Sequence, residues 1–103
     1  MLFHITDSIS WAEHRTDDDY QPPSLKSEGF IHLSRADQIH QTIRRHFRGV
    51  ASLLLVEVDE ELLKADLRWE ESEPGESFPH LYGPLPMNAV ADVRSLTVTS
   101  TFA

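Results

Sequence analysis

Apolar and polar positions change their period several times along the chain, and each change marks an element. Leu2, Phe3 and Ile5 interleave with His4 and Thr6, which predicts a strand from Leu2 to Thr6. Ser8 to His14 reads as a short helix capped by Asp7 or Ser8. Residues 15–23 form a polar loop ending in Tyr20-Gln21-Pro22-Pro23, where the prolines bar a helix. Ser24 to Glu28 makes a helical turn closed by Gly29, and Phe30 to Ser34 is a strand. Ala36, Ile39, Ile43 and Phe47 then recur at helical spacing. This predicts a helix from Asp37 to Phe47 that buries Ile39, Ile43 and Phe47, with Ser34 and Asp37 as its capping box and Gly49 as its stop.

Ser52 to Val58 is a nearly continuous apolar run, the pattern of a central strand covered on both faces. Residues 59–64 read as a short turn or helix and Leu67 to Glu71 as a strand. Residues 72–77, around Pro74-Gly75, are expected to be a mobile loop, and residues 78–86 an irregular segment fixed by Pro79, Gly83, Pro84 and Pro86. Strands over residues 88–93 and 96–102 complete the chain. Strands and helices mix first and strands dominate later, which predicts one α+β domain over residues 1–103 with a mixed or antiparallel sheet.

Composition narrows the function classes. The 103 residues contain no cysteine, so disulfides, thiolate metal ligands and a cysteine nucleophile are excluded. No apolar run approaches the ~20 residues of a membrane span, and the first residues lack a signal-peptide pattern. A cytoplasmic protein without membrane partners is the expectation. The net charge of −8 repels phosphate backbones, so nucleic acid is not the expected partner. Arg44, Arg45, His46 and Arg48 are the one dense basic cluster, and they fall where cations offset the dipole at a helix C-terminus.

Strand alternation selects the candidate chemistry. Leu2, His4 and Thr6 share one face of their strand, and Phe30, His32 and Ser34 share one face of theirs. The pattern His-Ile-Thr thus returns as His-Leu-Ser, and if the strands are neighbours both histidines open onto one cleft. Glu70 lies on the face opposite Leu67 and Trp69, with Trp69 assigned to the core. His80 and Tyr82 point the same way from the proline-rich segment, and Tyr20 offers an aromatic wall for a flat ligand. The candidate ligand-binding residues are therefore His4, Thr6, Tyr20, His32, Ser34, His80 and Tyr82, with Glu70 the candidate catalytic carboxylate. A zinc-type site built from His4, His32 and His80 is a further alternative. Walker, dinucleotide-fingerprint, His-Glu-x-x-His and Gly-x-Ser-x-Gly motifs are missing.

Phe3-His4-Ile5-Thr6, Trp11, Tyr20, Glu28 to Ser34, Trp69-Glu70 and Phe78 to Leu85 together resemble the bacterial domain-of-unknown-function family 952. The resemblance implies a fold similar to that of ADP-ribosyltransferases, a small split β-sandwich with two or three helices and a cleft for NAD. His4-Ile5-Thr6 and His32-Leu33-Ser34 are also similar to two motifs of RNA 2′-phosphotransferases, although Ile5 stands at a glycine position and no arginine precedes His32. On this resemblance the cleft holds an ADP-ribose-like small molecule, with NAD the candidate cofactor. Glu70 then stabilises charge developing on the ribose. A module that binds the same ligand without turnover is the competing expectation.

Overall fold

The computed structural model describes residues 1–97. Among the described residues, eight strands and three helices follow one another: β1 (Leu2–Thr6), α1 (Ser8–His14), β2 (Asp19–Tyr20), α2 (Pro23–Ser27), β3 (Ile31–His32), α3 (Ile39–His46), β4 (Ser52–Val58), β5 (Asp66–Glu73), β6 (Glu76–Tyr82), β7 (Leu85–Pro86) and β8 (Val90–Thr97). The strands form two three-stranded antiparallel sheets, ordered β1-β4-β8 and β3-β6-β5, and a short β2-β7 ribbon. The fold is thus a small α+β domain with several antiparallel sheets.

The two large sheets meet across one core. Leu2, Val56 and Val58 from the first and Ile31 and Leu81 from the second belong to one buried cluster, with Trp11, Tyr20 and Leu85. On the other side of the first sheet, Ile5 and Leu53 pack with Ile43 of α3, flanked by Ile39 and Phe47. β4 is the central strand and is covered on both faces, as its nearly continuous apolar run requires.

The sheets are joined where β3 ends. Phe3 and Ser34 exchange both backbone hydrogen bonds, at 2.8 and 2.7 Å. The segment expected as a strand over residues 30–34 therefore pairs with β6 only at Ile31 and His32, and Ser34 pairs with β1. Its residues pass from one sheet to the other.

Asp7 caps α1 by accepting from the Ser10 N–H at 2.7 Å. The main helix departs from expectation at its start. Residues 36–38 form a 3-10 turn and α3 begins at Ile39. The Arg35 N–H donates to Oε1 of Gln38 at 3.0 Å, while the Ser34 hydroxyl is engaged by Thr42 at 2.9 Å, so Ser34 and Asp37 do not make the capping box.

The largest correction concerns residues 72–82. The expected mobile loop and irregular segment form a β-hairpin with a two-residue turn. Pro74 fixes one turn dihedral and Gly75 takes φ +79°, which a side chain disfavours. Pro79 is tolerated inside β6 because a residue's N–H and C=O point to the same side of a strand. Its carbonyl meets Leu33 N at 3.0 Å, just beyond the last β3 pair, so the missing N–H falls where the ladder ends.

Gly83 follows β6, and a Cβ there would lie 2.5 Å from the Ala65 Cβ, so the close approach needs a glycine. The two strands expected at the end are one, β8, preceded by a 3-10 turn over Met87–Ala89, and residues 98–102 of the second lie outside the described residues. Trp69, expected in the core, is 46% exposed on edge strand β5, with Arg35 over its ring.

Candidate functional site

Four histidines gather where β1, β3, β6 and α3 converge, and their environments differ. His4 is 7% exposed and both ring nitrogens are engaged. Nδ1 lies 2.8 Å from the His32 carbonyl, which can only accept, so the ring proton sits on Nδ1. Nε2 then accepts from the Tyr20 hydroxyl at 2.8 Å. Burial lowers the His4 pKa to about 4 and pushes the Tyr20 phenol up to about 12, with the Thr6 hydroxyl hydrogen-bonded to Tyr20 in partial opposition. Trp11 packs on Tyr20 at 4.6 Å between ring centroids. His4, Thr6 and Tyr20 are thus one neutral, saturated network inside the core.

His32 is exposed, and its Nε2 lies 2.9 Å from Oε2 of Glu28. Its ring is 5.5 Å from that of His80 and 6.3 Å from that of His46. Partial burial, reinforced by His32 and Arg45, lowers the His46 pKa.

His80 is 5% exposed and lies under Phe30, stacked at 4.0 Å. Its Nδ1 is 2.8 Å from Oε1 of Glu70 and its Nε2 is 3.3 Å from the Ser72 hydroxyl. Tyr82 donates to the same Glu70 oxygen at 2.5 Å. That bond and the one from His80 hold the Glu70 carboxyl below the usual range, and the carboxylate in turn raises Tyr82. Arg68 lies 4.3 Å over the Tyr82 ring.

A cavity of about 550 Å³ opens between these groups, a usual size for a small-molecule site. Of the residues singled out in the sequence, His4, His32, Ser34 and His80 line it. Thr6 and Tyr20 stand behind His4, and Glu70 and Tyr82 reach the cavity only through His80. The proposed zinc trio does not converge: both His4 nitrogens are taken, and among the described residues no three His, Cys, Asp or Glu side chains are placed to hold a metal.

Sequence reasoning missed several lining residues. Thr42, Arg45 and His46 of α3 face the cavity, and their spacing of three and four residues was a readable sign of one helix face. Ser72 and Glu73 line it because a bulge between Glu71 and Glu73 leaves Ser72 without a partner on β6. With that bulge, two consecutive side chains reach one wall where alternation would divide them. Arg45 is held by Glu73 at 3.2 Å, so half of the basic cluster serves the cleft as well as the helix end.

The chain is a small α+β protein with two three-stranded antiparallel sheets and a histidine-lined cleft. The profile of a protein of unknown function, DUF952, matches residues 5–93, and the chain belongs to that family. The crystal structure of CC0527 from Caulobacter crescentus is similar, with 34% identity and a TM-score of 0.84 over 96% of this chain and 88% of that one. The solution NMR structure of CC0527 matches at 34% identity and a TM-score of 0.79, over 97% and 87% of the two chains. No curated protein matches the chain. No helix of the described residues is long and apolar enough to cross a membrane.

Proposed function

We propose that the cleft binds a nucleotide or ADP-ribose-like small molecule, with NAD the leading candidate. The observation that carries this reading is the 550 Å³ cavity, whose lining combines imidazoles, hydroxyls, a guanidinium and two carboxylates with apolar surface. Arg45, His46 and the hydroxyls of Ser34 and Thr42 suit a phosphate, and the Glu28 carboxylate suits ribose hydroxyls. Phe47 and Phe78 suit a flat ring. The net charge of −8 favours a small ligand over nucleic acid or a membrane surface. The sandwich of two small sheets also suits the ADP-ribosyltransferase-like architecture implied by the sequence resemblance.

Glu70 stands one step back from the cavity wall, which supports binding without NAD cleavage over transfer chemistry. Isothermal titration calorimetry with ADP-ribose, NAD and AMP tests the proposal. Saturable binding that Arg45→Ala weakens about tenfold, the scale of one charge-assisted contact, is expected. Nicotinamide release from NAD, abolished by Glu70→Gln, would convert the reading to an NAD-cleaving enzyme. Absence of binding by all three ligands overturns it.

A further inference from the structure

One wall of the cavity holds an ordered chain of three groups. The carboxylate of Glu70 can only accept, so the His80 proton sits on Nδ1, 2.8 Å away. His80 Nε2 is therefore the acceptor, and the hydroxyl that meets it at 3.3 Å is that of Ser72. Tyr82 donates to the same oxygen of Glu70 and helps keep it ionised. Stacking on Phe30 fixes the imidazole plane. Ser72 is exposed, His80 is buried, and both line the cavity. The β-bulge falls at Ser72, and bulges recur where a strand must re-aim a side chain beside an active site.

We propose that Ser72, His80 and Glu70 form a nucleophile, base and positioning carboxylate for hydrolysis of small carboxylic esters in this cavity. The inference goes beyond ligand binding and does not depend on a nucleotide occupying the cleft. Ser72 Oγ bonds to the ester carbonyl carbon as its proton passes to His80 Nε2. The carbon–oxygen bond to the alcohol breaks, its electron pair leaves with the alcohol oxygen, and that oxygen takes the proton from His80. Water then gives a proton to His80 and its oxygen to the acyl carbon. Release of Ser72, reprotonated by His80, yields the carboxylic acid. Arg45 lines the same cavity and is fastened to Glu73, beside Ser72, so its guanidinium is the cation available to the tetrahedral oxyanion. Ile5, Leu33, Phe47 and Phe78 give the acyl chain an apolar lining, which selects short esters with uncharged acyl groups.

The test uses the whole protein with p-nitrophenyl butyrate and with a fluorophosphonate probe followed by peptide mass analysis. The wild type is expected to hydrolyse the ester with saturation and to carry the phosphonyl group on Ser72. Imidazoles cleave activated esters slowly by themselves, so Ser72→Ala is the deciding variant. It should lose both the label and the saturable rate. Glu70→Gln should lower kcat by about 100-fold with KM little changed, the scale of a general-base contribution. Glu70→Asp should restore part of that rate, a rescue that a merely structural carboxylate would not give. Ser72 is exposed, so Ser72→Ala should keep the wild-type urea midpoint. An unlabelled Ser72 in folded wild type, or a Ser72→Ala variant that hydrolyses the ester at the wild-type rate, overturns the proposal. Neither result bears on ADP-ribose binding, which calorimetry reads separately.

Discussion

His4-Ile5-Thr6 and His32-Leu33-Ser34 carry the same pattern of imidazole, aliphatic and hydroxyl, yet the fold uses them differently. His4 lies inside the core with both nitrogens bonded, whereas His32 stands in solvent beside Glu28. Neighbourhood makes the difference. β1 is covered on one side by Tyr20 and Trp11 and on the other by α3, while β3 has only two paired residues and leaves the cleft side open. The second segment passes from one sheet to the other, and its His32 stands on the open side of the cleft. The same three-residue pattern thus gives a structural histidine where both faces are covered and a free wall where one is not.

The comparison breaks first on stability. His4→Ala should cost about 3–5 kcal/mol in urea unfolding, since it removes a buried ring and strands the Tyr20 hydroxyl. His32→Ala should change stability by no more than ~0.5 kcal/mol, the usual range for an exposed position. Equal losses would mean that the two histidines are not in different environments.

The same contrast has a pH signature. The His4 pKa is about 4 in the folded protein and about 6.5 when free. Between those values the unfolded chain binds the proton and the folded one does not, so stability falls as pH falls. Relative to pH 7, this one group should remove about 2–3 kcal/mol by pH 4.5, with little further change below pH 4. Urea unfolding at pH 7, 5.5 and 4.5 measures it. His4→Gln should flatten that part of the profile, and a wild-type slope carried over unchanged would remove His4 as its source.

Tyr20→Phe sharpens the comparison within the buried network. It leaves His4 Nε2 without its donor at a place water does not easily reach, and should cost about 1–3 kcal/mol. Tyr82→Phe removes a phenol bonded to a partly exposed carboxylate that His80 still serves, so its cost should be smaller. Thermal unfolding of both variants decides, and a larger loss for Tyr82→Phe would reverse the assignment of rigid and open sides.

Much of this architecture is legible in the chain because burial leaves periodic traces. The apolar runs of β1 and β4 and the Ile39, Ile43, Phe47 stripe name the first sheet and the helix that covers it. His32 is legible as a cleft residue through alternation, and His80 through its place in the proline-rich segment. The β5–β6 hairpin is hidden because Glu71, Ser72, Glu73, Glu76 and Ser77 have weak strand propensity and Pro79 argues against a central strand. What favours it is paired backbone and a tight turn, neither of which depends on side-chain hydrophobicity. Ser72 is hidden for the same reason, since a bulge is a property of register between two strands and not of either strand read singly. Trp69 is misplaced because alternation assigns a face and not its burial, and β5 is an edge strand.

The smallest expected effect lies on the open side, at the Glu28–His32 pair. Both side chains are nearly half exposed, at 48% and 46%, and they are four residues apart, so solvent screens the pair and it adds little to stability. Glu28→Gln should therefore shift the unfolding free energy by less than ~0.5 kcal/mol. Its effect on the cleft should be larger than its effect on the fold. Glu28 is one of two carboxylates lining the cavity, the other being Glu73, which is already matched by Arg45. Inorganic phosphate placed in the cavity would meet the Glu28 charge as a repulsion. Removing that charge should tighten phosphate binding about threefold at low salt, and the gain should shrink at high salt as screening grows. ADP-ribose also has ribose hydroxyls that can donate to Glu28, so its affinity should rise less or fall. Calorimetry of wild type and Glu28→Gln with the two ligands reads the difference. Equal gains for both would assign Glu28 a purely electrostatic place in the cleft, whereas a loss for ADP-ribose alone would mark it as the ribose contact.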